Sequence, residues 1–213
     1  MSLPILSDHG ARPRGRGMVP VPGGAAGGIG LARGRVHELR GPSRVALAVQ
    51  LMGECAGPVL WIYPGWQAGR LYPDGVAAWA DPGRLIQARA RRVEDILWSM
   101  EEALRSGAVG LVVAELPAAP ALTPVRRLQL AAEVGAEAAH HAGHGVAPLG
   151  LLLTGGEAVA AGVESRWRMA PLPSGSALLE EQGTVWQLER ERARGAEPAA
   201  WRLTRGATGA VLA

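Results

Sequence analysis

Three places in this 213-residue sequence put polar groups where chemistry could be done. The first is Gly41-Pro42-Ser43-Arg44, a glycine turn in front of an apolar helical stripe, and amide N–H groups at a helix start can cradle an anion. A working phosphate loop needs a longer glycine run, a lysine on the outer phosphates and a Ser or Thr on magnesium. Here the loop is short, and Arg44 offers a planar fork in place of a compact ammonium. The turn reads better as a plain strand-to-helix connection. The second place is Glu115, which ends the apolar run Val109 to Ala114, where nucleotide hydrolases keep a magnesium-binding acid. With no phosphate ligands opposite, a capping or salt-bridging role is at least as well supported. The third, His140-His141-x-x-His144, spaces His141 and His144 for one helix face, but no cysteine or carboxylate pattern completes a metal set. No metal is expected.

Composition narrows the chemistry further. All 22 basic residues are arginine, and the chain has no lysine, phenylalanine or asparagine. Those three use AT-rich codons, so a GC-rich genome accounts for the bias. Its chemical consequence stands: there is no Schiff-base amine, no lysine base and no phosphate-loop lysine. No Gly-x-Ser-x-Gly occurs, and the single Cys55 excludes an internal disulfide and reads as core. The sequence argues against an enzyme, and no cofactor is expected. The formal charge of +3 is uneven, with Arg12, Arg14 and Arg16 near the start and a second cluster at Arg89, Arg91 and Arg92. That permits a nucleic-acid or acidic partner without requiring one. No run approaches the roughly 18–20 apolar residues of a membrane span, and the first residues lack a signal-peptide pattern. A cytoplasmic protein without a membrane partner is the expectation.

The elements that must position these groups follow from periodicity. Gly and Pro are dense in residues 1–30, which predicts a flexible arm. An ordered domain is expected over 31–206, with a short tail at 207–213. Short strands are predicted near Val36–Leu39 and Arg84–Ala88, and buried ones at Val59–Tyr63, Ala108–Ala114 and Leu149–Thr154. Amphipathic stripes predict helices over Arg44–Glu54, Val93–Ser106 and Val125–His141, the second closed by Gly107. A further strand is expected at Val163–Met169, then a hairpin of Thr184–Arg194 with Ala199–Arg205. Apolar strands alternating with amphipathic helices predict an α/β fold with a mostly parallel sheet covered on both faces, ending in an antiparallel hairpin.

With the elements in order, Gly34-Arg-Val-His-Glu-Leu-Arg-Gly-Pro-Ser43 resembles the strand and phosphate-loop entry of the RecA recombinases, Gly-Arg-Ile-x-Glu-Ile-x-Gly-Pro. The likeness stops where the phosphate-binding residues should follow. Arg105 to Glu115 resembles the RecA segment that ends in the magnesium-binding acid, with Glu115 in place of Asp. Gly65 falls where RecA carries its catalytic glutamate. The resemblance implies a RecA-like P-loop NTPase fold with a degenerate loop, over residues 34 to about 205. Within that superfamily the chain is similar to the ImuA family of SOS mutagenesis proteins, in the shorter form common in alphaproteobacteria. The stretches that carry this are Gly34 to Ser43, Leu60 to Gln67, Leu71 to Gly75, Asp81 to Arg84, Arg91 to Leu104, Thr123 to Leu128 and Gly162 to Trp167. The resemblance implies an accessory factor in translesion DNA synthesis. The partners it implies are ImuB, an inactive Y-family polymerase relative, and an error-prone C-family polymerase, with RecA a further candidate. A weak ATPase using Gly41, Arg44 and Glu115 and an SOS cell-division inhibitor are the competing readings.

Two departures from RecA bear on mechanism. The segments after Thr123 and Thr154 are too short for the DNA-binding loops of RecA, so any DNA contact is indirect or comes from the arginine tail. Arg190-Glu-Arg192 resembles the Lys-x-Lys by which one RecA subunit reaches its neighbour's ATP. A partner contact through Arg190 and Arg192 in trans is expected from it, against the plainer reading of a solvated edge strand. Trp61 reads as core, while Trp66, between Gly65 and Gln67 at a strand end, suits an interface anchor.

Overall fold

In a computed structural model, residues 17–24, 28–143, 146–173, 184–206 and 209–212 are described. Order begins earlier than the Gly/Pro density predicts. Strand β1 (Met18–Pro20) pairs antiparallel with β2 (Gly30–Ala32), with Val19 opposite Leu31. Val19, Val21 and Leu31 are all but fully buried. The reason is local: Met18-Val19-Pro20-Val21 alternates out and in, so even a short Pro-rich ribbon presents one apolar face. The expected flexible arm therefore holds a packed ribbon, and Arg12, Arg14 and Arg16 lie outside the described residues.

The apolar runs form one nine-stranded sheet. Six parallel strands make up most of it: β3 (Arg35–Arg40), β4 (Val59–Pro64), β5 (Leu85–Ala90), β6 (Leu111–Leu116), β7 (Leu149–Thr154) and β8 (Ser165–Pro171). Strands β9 (Val185–Ala193), β10 (Ala199–Gly206) and β11 (Gly209–Leu212) add antiparallel at one edge. The order is β11-β10-β9-β8-β3-β7-β6-β4-β5. The segment expected as a tail thus supplies an edge strand, with Leu212 opposite Leu203. Between the strands run α1 (Arg44–Gly53), a short α2 (Pro73–Ala77), α3 (Val93–Ser106) and α4 (Leu122–His141).

Alternation divides the core in two. Leu39, Trp61, Val113, Leu151 and Trp167 pack with Leu47, Leu51 and Met52 of α1. Val36, Ile62, Val112 and Leu152 pack with Ile96, Met100 and Leu104 of α3 and Val125 and Leu128 of α4. Each such side chain contributes about 1.5–3 kcal/mol when fully buried, against roughly 0–1 kcal/mol for a surface ion pair. Burial therefore holds the sheet. Gly135 marks where α3 and α4 touch backbone to backbone, since a Cβ there would collide with the Leu104 carbonyl. A glycine inside a helix costs about 1 kcal/mol, which the close packing of the two helices offsets.

At the antiparallel edge only the α1 side is apolar. Its other face carries cross-strand pairs such as Arg168 with Glu189 at 3.5 Å, as expected of strands with one wet face. Beside β3, strand β8 begins only at Ser165, and while Val36 C=O accepts from Glu164 N–H at 2.9 Å, Val36 N–H needs another partner. The Gln129 side chain on α4 supplies it, accepting from Val36 N–H at 3.1 Å and donating to Val36 C=O at 3.0 Å.

Candidate functional site

The turn from β3 into α1 is where an anion would bind, and two of its amides, those of Ser43 and Arg44, are already engaged. Gly41 has φ +87°, and a Cβ there would lie 2.5 Å from the Met169 carbonyl of β8, so only glycine fits. Pro42 has no N–H. Ser43 N–H donates to Met169 O at 3.0 Å, and Arg44 N–H donates to Gly41 O at 3.2 Å. The Arg44 guanidinium also folds back, its Nη1 donating to Gly41 O at 3.2 Å. A phosphate drawing on the Ser43 amide would have to displace a backbone carbonyl of β8.

Glu115 stands at the same end of the sheet. The register sets Leu39 opposite Leu153 and Leu153 opposite Glu115, which puts the acid two strands from β3, about 10 Å away at ordinary spacing. Its Oε1 accepts from Trp61 Nε1 at 2.6 Å. The carboxylate is therefore tied into the α1 side of the core by a tryptophan. Gly65, at the end of β4, donates its N–H to Ala90 O at 2.7 Å and accepts from Arg89 Nη2 at 2.8 Å. Gly41 to Arg44 and Glu115 thus share one end of the sheet, but each is closed by its own partner.

Beside the turn, Glu38 forms a site that periodicity gives no hint of. It is fully buried, and its carboxylate accepts from Arg166 Nε at 2.6 Å, Thr154 Oγ1 at 2.7 Å and Ala160 N–H at 3.0 Å. Arg166 Nη2 in turn donates to Ala160 O at 2.7 Å. The clamp joins β3, the end of β7, β8 and the segment after β7. The available signal was a carboxylate between Val36 and Leu39 in a strand of the central sheet, since a buried charge must be paired. His37, next to it, is buried with Nδ1 2.7 Å from Ser165 Oγ and Nε2 2.9 Å from Ala32 O. Burial holds its pKa down at about 4, so the ring is neutral. Arg84 was also missed: its guanidinium ties the end of α1 through Gly57 O at 2.7 Å and Met52 O at 3.3 Å.

Arg190 and Arg192 do not form one contact. A bulge in β9 sets Arg190 opposite Trp167 and Arg192 opposite Arg166. Partners across a ladder share a face while neighbours along a strand alternate, so the two arginines point to opposite faces. Arg190 lies over the stacked rings of Trp167 and Trp201 and donates to Glu197 O at 2.8 and 3.0 Å. Arg192 is exposed. Trp66 is 50% exposed, whereas Trp61 is buried. His144 lies outside the described residues, and among the described residues no cluster of three metal-binding side chains occurs. Nor is any helix among them long and apolar enough to cross a membrane.

No protein-family model matches the chain. Two curated relatives do: Protein ImuA of Caulobacter vibrioides strain NA1000 / CB15N and of strain ATCC 19089 / CIP 103742 / CB 15. Each is 34% identical over 198 residues, covering 83% of this chain and 77% of the relative. The chain belongs to the ImuA family. The stretches that carry the ImuA resemblance fall on the parts just described: β3 with its turn, β4 with Trp66, the Arg84 anchor, α3, the start of α4, and β8 with Arg166. They include the residues that close the ends of the sheet as well as those that fill its core.

Proposed function

We propose that this chain is a non-catalytic adaptor of RecA-like P-loop fold in SOS-induced translesion DNA synthesis. It works through protein contacts with an ImuB-type polymerase relative and its C-family polymerase companion, with RecA as a further partner. ImuA-family membership supports the pathway, and the strand-turn-helix from Gly34 to Arg44 supports the RecA-like frame. The observation that carries the non-catalytic reading is the closed turn: Pro42 has no N–H, and the Ser43 and Arg44 amides already donate to Met169 O and Gly41 O.

Isothermal calorimetry with Mg-ATP at millimolar concentration tests the adaptor reading. No binding heat is expected, and saturable heat would favour an ATPase instead. Capture of the tagged chain from DNA-damaged cells tests the pathway. Recovery of polymerase-class proteins is the expected result, and recovery of the division tubulin would favour a division inhibitor.

A further inference from the structure

We infer that the lip formed by the ends of β4 and β5 binds single-stranded nucleic acid, with Trp66 stacking on a base and Arg70, Arg89 and Arg91 facing the phosphates. This goes beyond the adaptor reading and does not depend on it. Trp66 is 50% exposed and Tyr72, in the same loop, 71%. The hydrogen bond from Gly65 N–H to Ala90 O places Trp66 and Arg91 each one residue from the same contact. Arg89 reaches back to Gly65 O at 2.8 Å. The Arg70 guanidinium lies 5.6 Å from the centre of the Tyr63 ring, and Tyr63 is the register partner of Arg89. Three exposed arginines, Arg70, Arg89 and Arg91, and an exposed indole therefore lie along one lip.

Charge decides the class of partner. Among the described residues, no ion pair involves Arg70, Arg89 or Arg91. Of the carboxylates closest in sequence, Asp95 is held by Arg92 at 2.8 Å, while Asp74 and Glu94 sit in the first turns of α2 and α3. A tryptophan that anchors a protein partner usually sits inside a water-excluding surround. Trp66 is followed instead by Gln67, Ala68, Gly69 and Arg70, all exposed. An open ring beside guanidinium groups that hold no carboxylate matches what a single strand offers, namely a π-face on every base and a phosphate beside it.

The test uses the full chain and a labelled oligothymidylate of about 16 nucleotides, the upper end of single-site lengths, read by fluorescence anisotropy at several salt concentrations. Trp66→Ala is expected to weaken binding roughly 5- to 100-fold, the range of one lost base stack, and Trp66→Phe to retain most of it. Arg91→Glu is expected to weaken binding and flatten its salt dependence by at least about 0.7 in log–log slope. Trp98→Ala, which removes a still more exposed indole from α3, is expected to change affinity less than about twofold, a shift too small for a lost stack. The inference is overturned if the wild-type chain does not bind at low salt. It is overturned equally if Trp66→Ala and Arg91→Glu bind like wild type, which would place the contact elsewhere, or if Trp98→Ala weakens binding as much as Trp66→Ala. A protein partner lost on Trp66→Ala, with no oligonucleotide affinity in the wild type, would make the lip a protein interface and also refute it.

Discussion

Replacing Arg166 with methionine should destabilise the fold more than any other single surface-reaching arginine. The substitution keeps most of the aliphatic stem and removes the guanidinium, which donates Nε to Glu38 at 2.6 Å and Nη2 to Ala160 O at 2.7 Å. Glu38 is left fully buried with only the Thr154 hydroxyl and Ala160 N–H as donors. Stranding one member of a buried ion pair costs about 3–5 kcal/mol, against a total stability of about 5–15 kcal/mol. For a chain of this length each kcal/mol moves the midpoint about 2–4 °C, so Tm should fall by roughly 6–20 °C. Glu38→Gln should cost less, because the amide still accepts from Thr154 and the freed Arg166, already partly exposed, can turn to water. The double variant Glu38→Leu with Arg166→Met should recover part of the loss, since a buried pair is often replaceable by apolar groups at little cost. Urea unfolding followed by tryptophan fluorescence measures all three. Should Arg166→Met lie within about 1 kcal/mol of wild type, the pair is not the buried clamp described.

Four further outcomes follow from the same geometry. His37 is held near pKa 4 against 6.5 when unfolded, so the unfolded chain binds the extra proton. Stability should be intact above pH 6.5 and fall by up to about 3 kcal/mol as pH drops toward 4, and His37→Gln should remove that slope in pH-dependent urea titrations. Gly41→Ala should cost more than about 1 kcal/mol, because φ +87° and the Met169 carbonyl both exclude a Cβ; thermal melts measure this. Arg190→Ala should cost about 1–2 kcal/mol through its lost ring contacts and its bonds to Glu197 O. Arg192→Ala, on the wet face, should stay within about 0.5 kcal/mol, and equal effects in paired melts would refute the bulge-set orientation. Arg44→Lys should give no calorimetric binding of Mg-ATP, because the new ammonium would still face a turn in which Pro42 has no N–H and the Ser43 and Arg44 amides are occupied.

Much of the fold was legible because it rests on periodicity. The stripe Ile96, Met100, Leu104 and the apolar runs of β4, β6 and β7 declare their faces directly, and Gly107, at φ +66°, ends α3 as its type and place predict. Less legible were elements whose signal is brief or lies across the chain. The β1–β2 ribbon shows only three alternating residues on each strand amid Gly and Pro. The β9 bulge is invisible in Arg-Glu-Arg, and it reverses the expectation that residues two apart share a face. At the candidate site, Gly41 and Glu115 each follow a strand of one parallel sheet, so the register brings them to the same end. What fills them is tertiary: Met169 is 128 residues from Gly41, and Trp61 is 54 from Glu115.

Both closures on this side of the sheet come from one strand. Met169 of β8 takes the Ser43 amide at the entrance to α1, and Arg166, three residues earlier, takes the Glu38 carboxylate and the Ala160 carbonyl. Strand β8 is itself fixed between β3 and β9, with Leu39 opposite Trp167 and Trp167 opposite Arg190. An anion that took the Ser43 amide would therefore have to shift a strand in the middle of a nine-stranded sheet. That requirement changes what the missing lysine means. That arginine stands at every basic position bears on charge alone, whereas the Met169 carbonyl holds the Ser43 amide whichever basic residue is nearby. The two are separable: a lysine returned to this chain would have a charge to offer and no cradle to offer it from. This end of the sheet is thus held by the sheet's own hydrogen bonding, the Met169 carbonyl on the Ser43 amide and the Arg166 guanidinium on the Glu38 carboxylate.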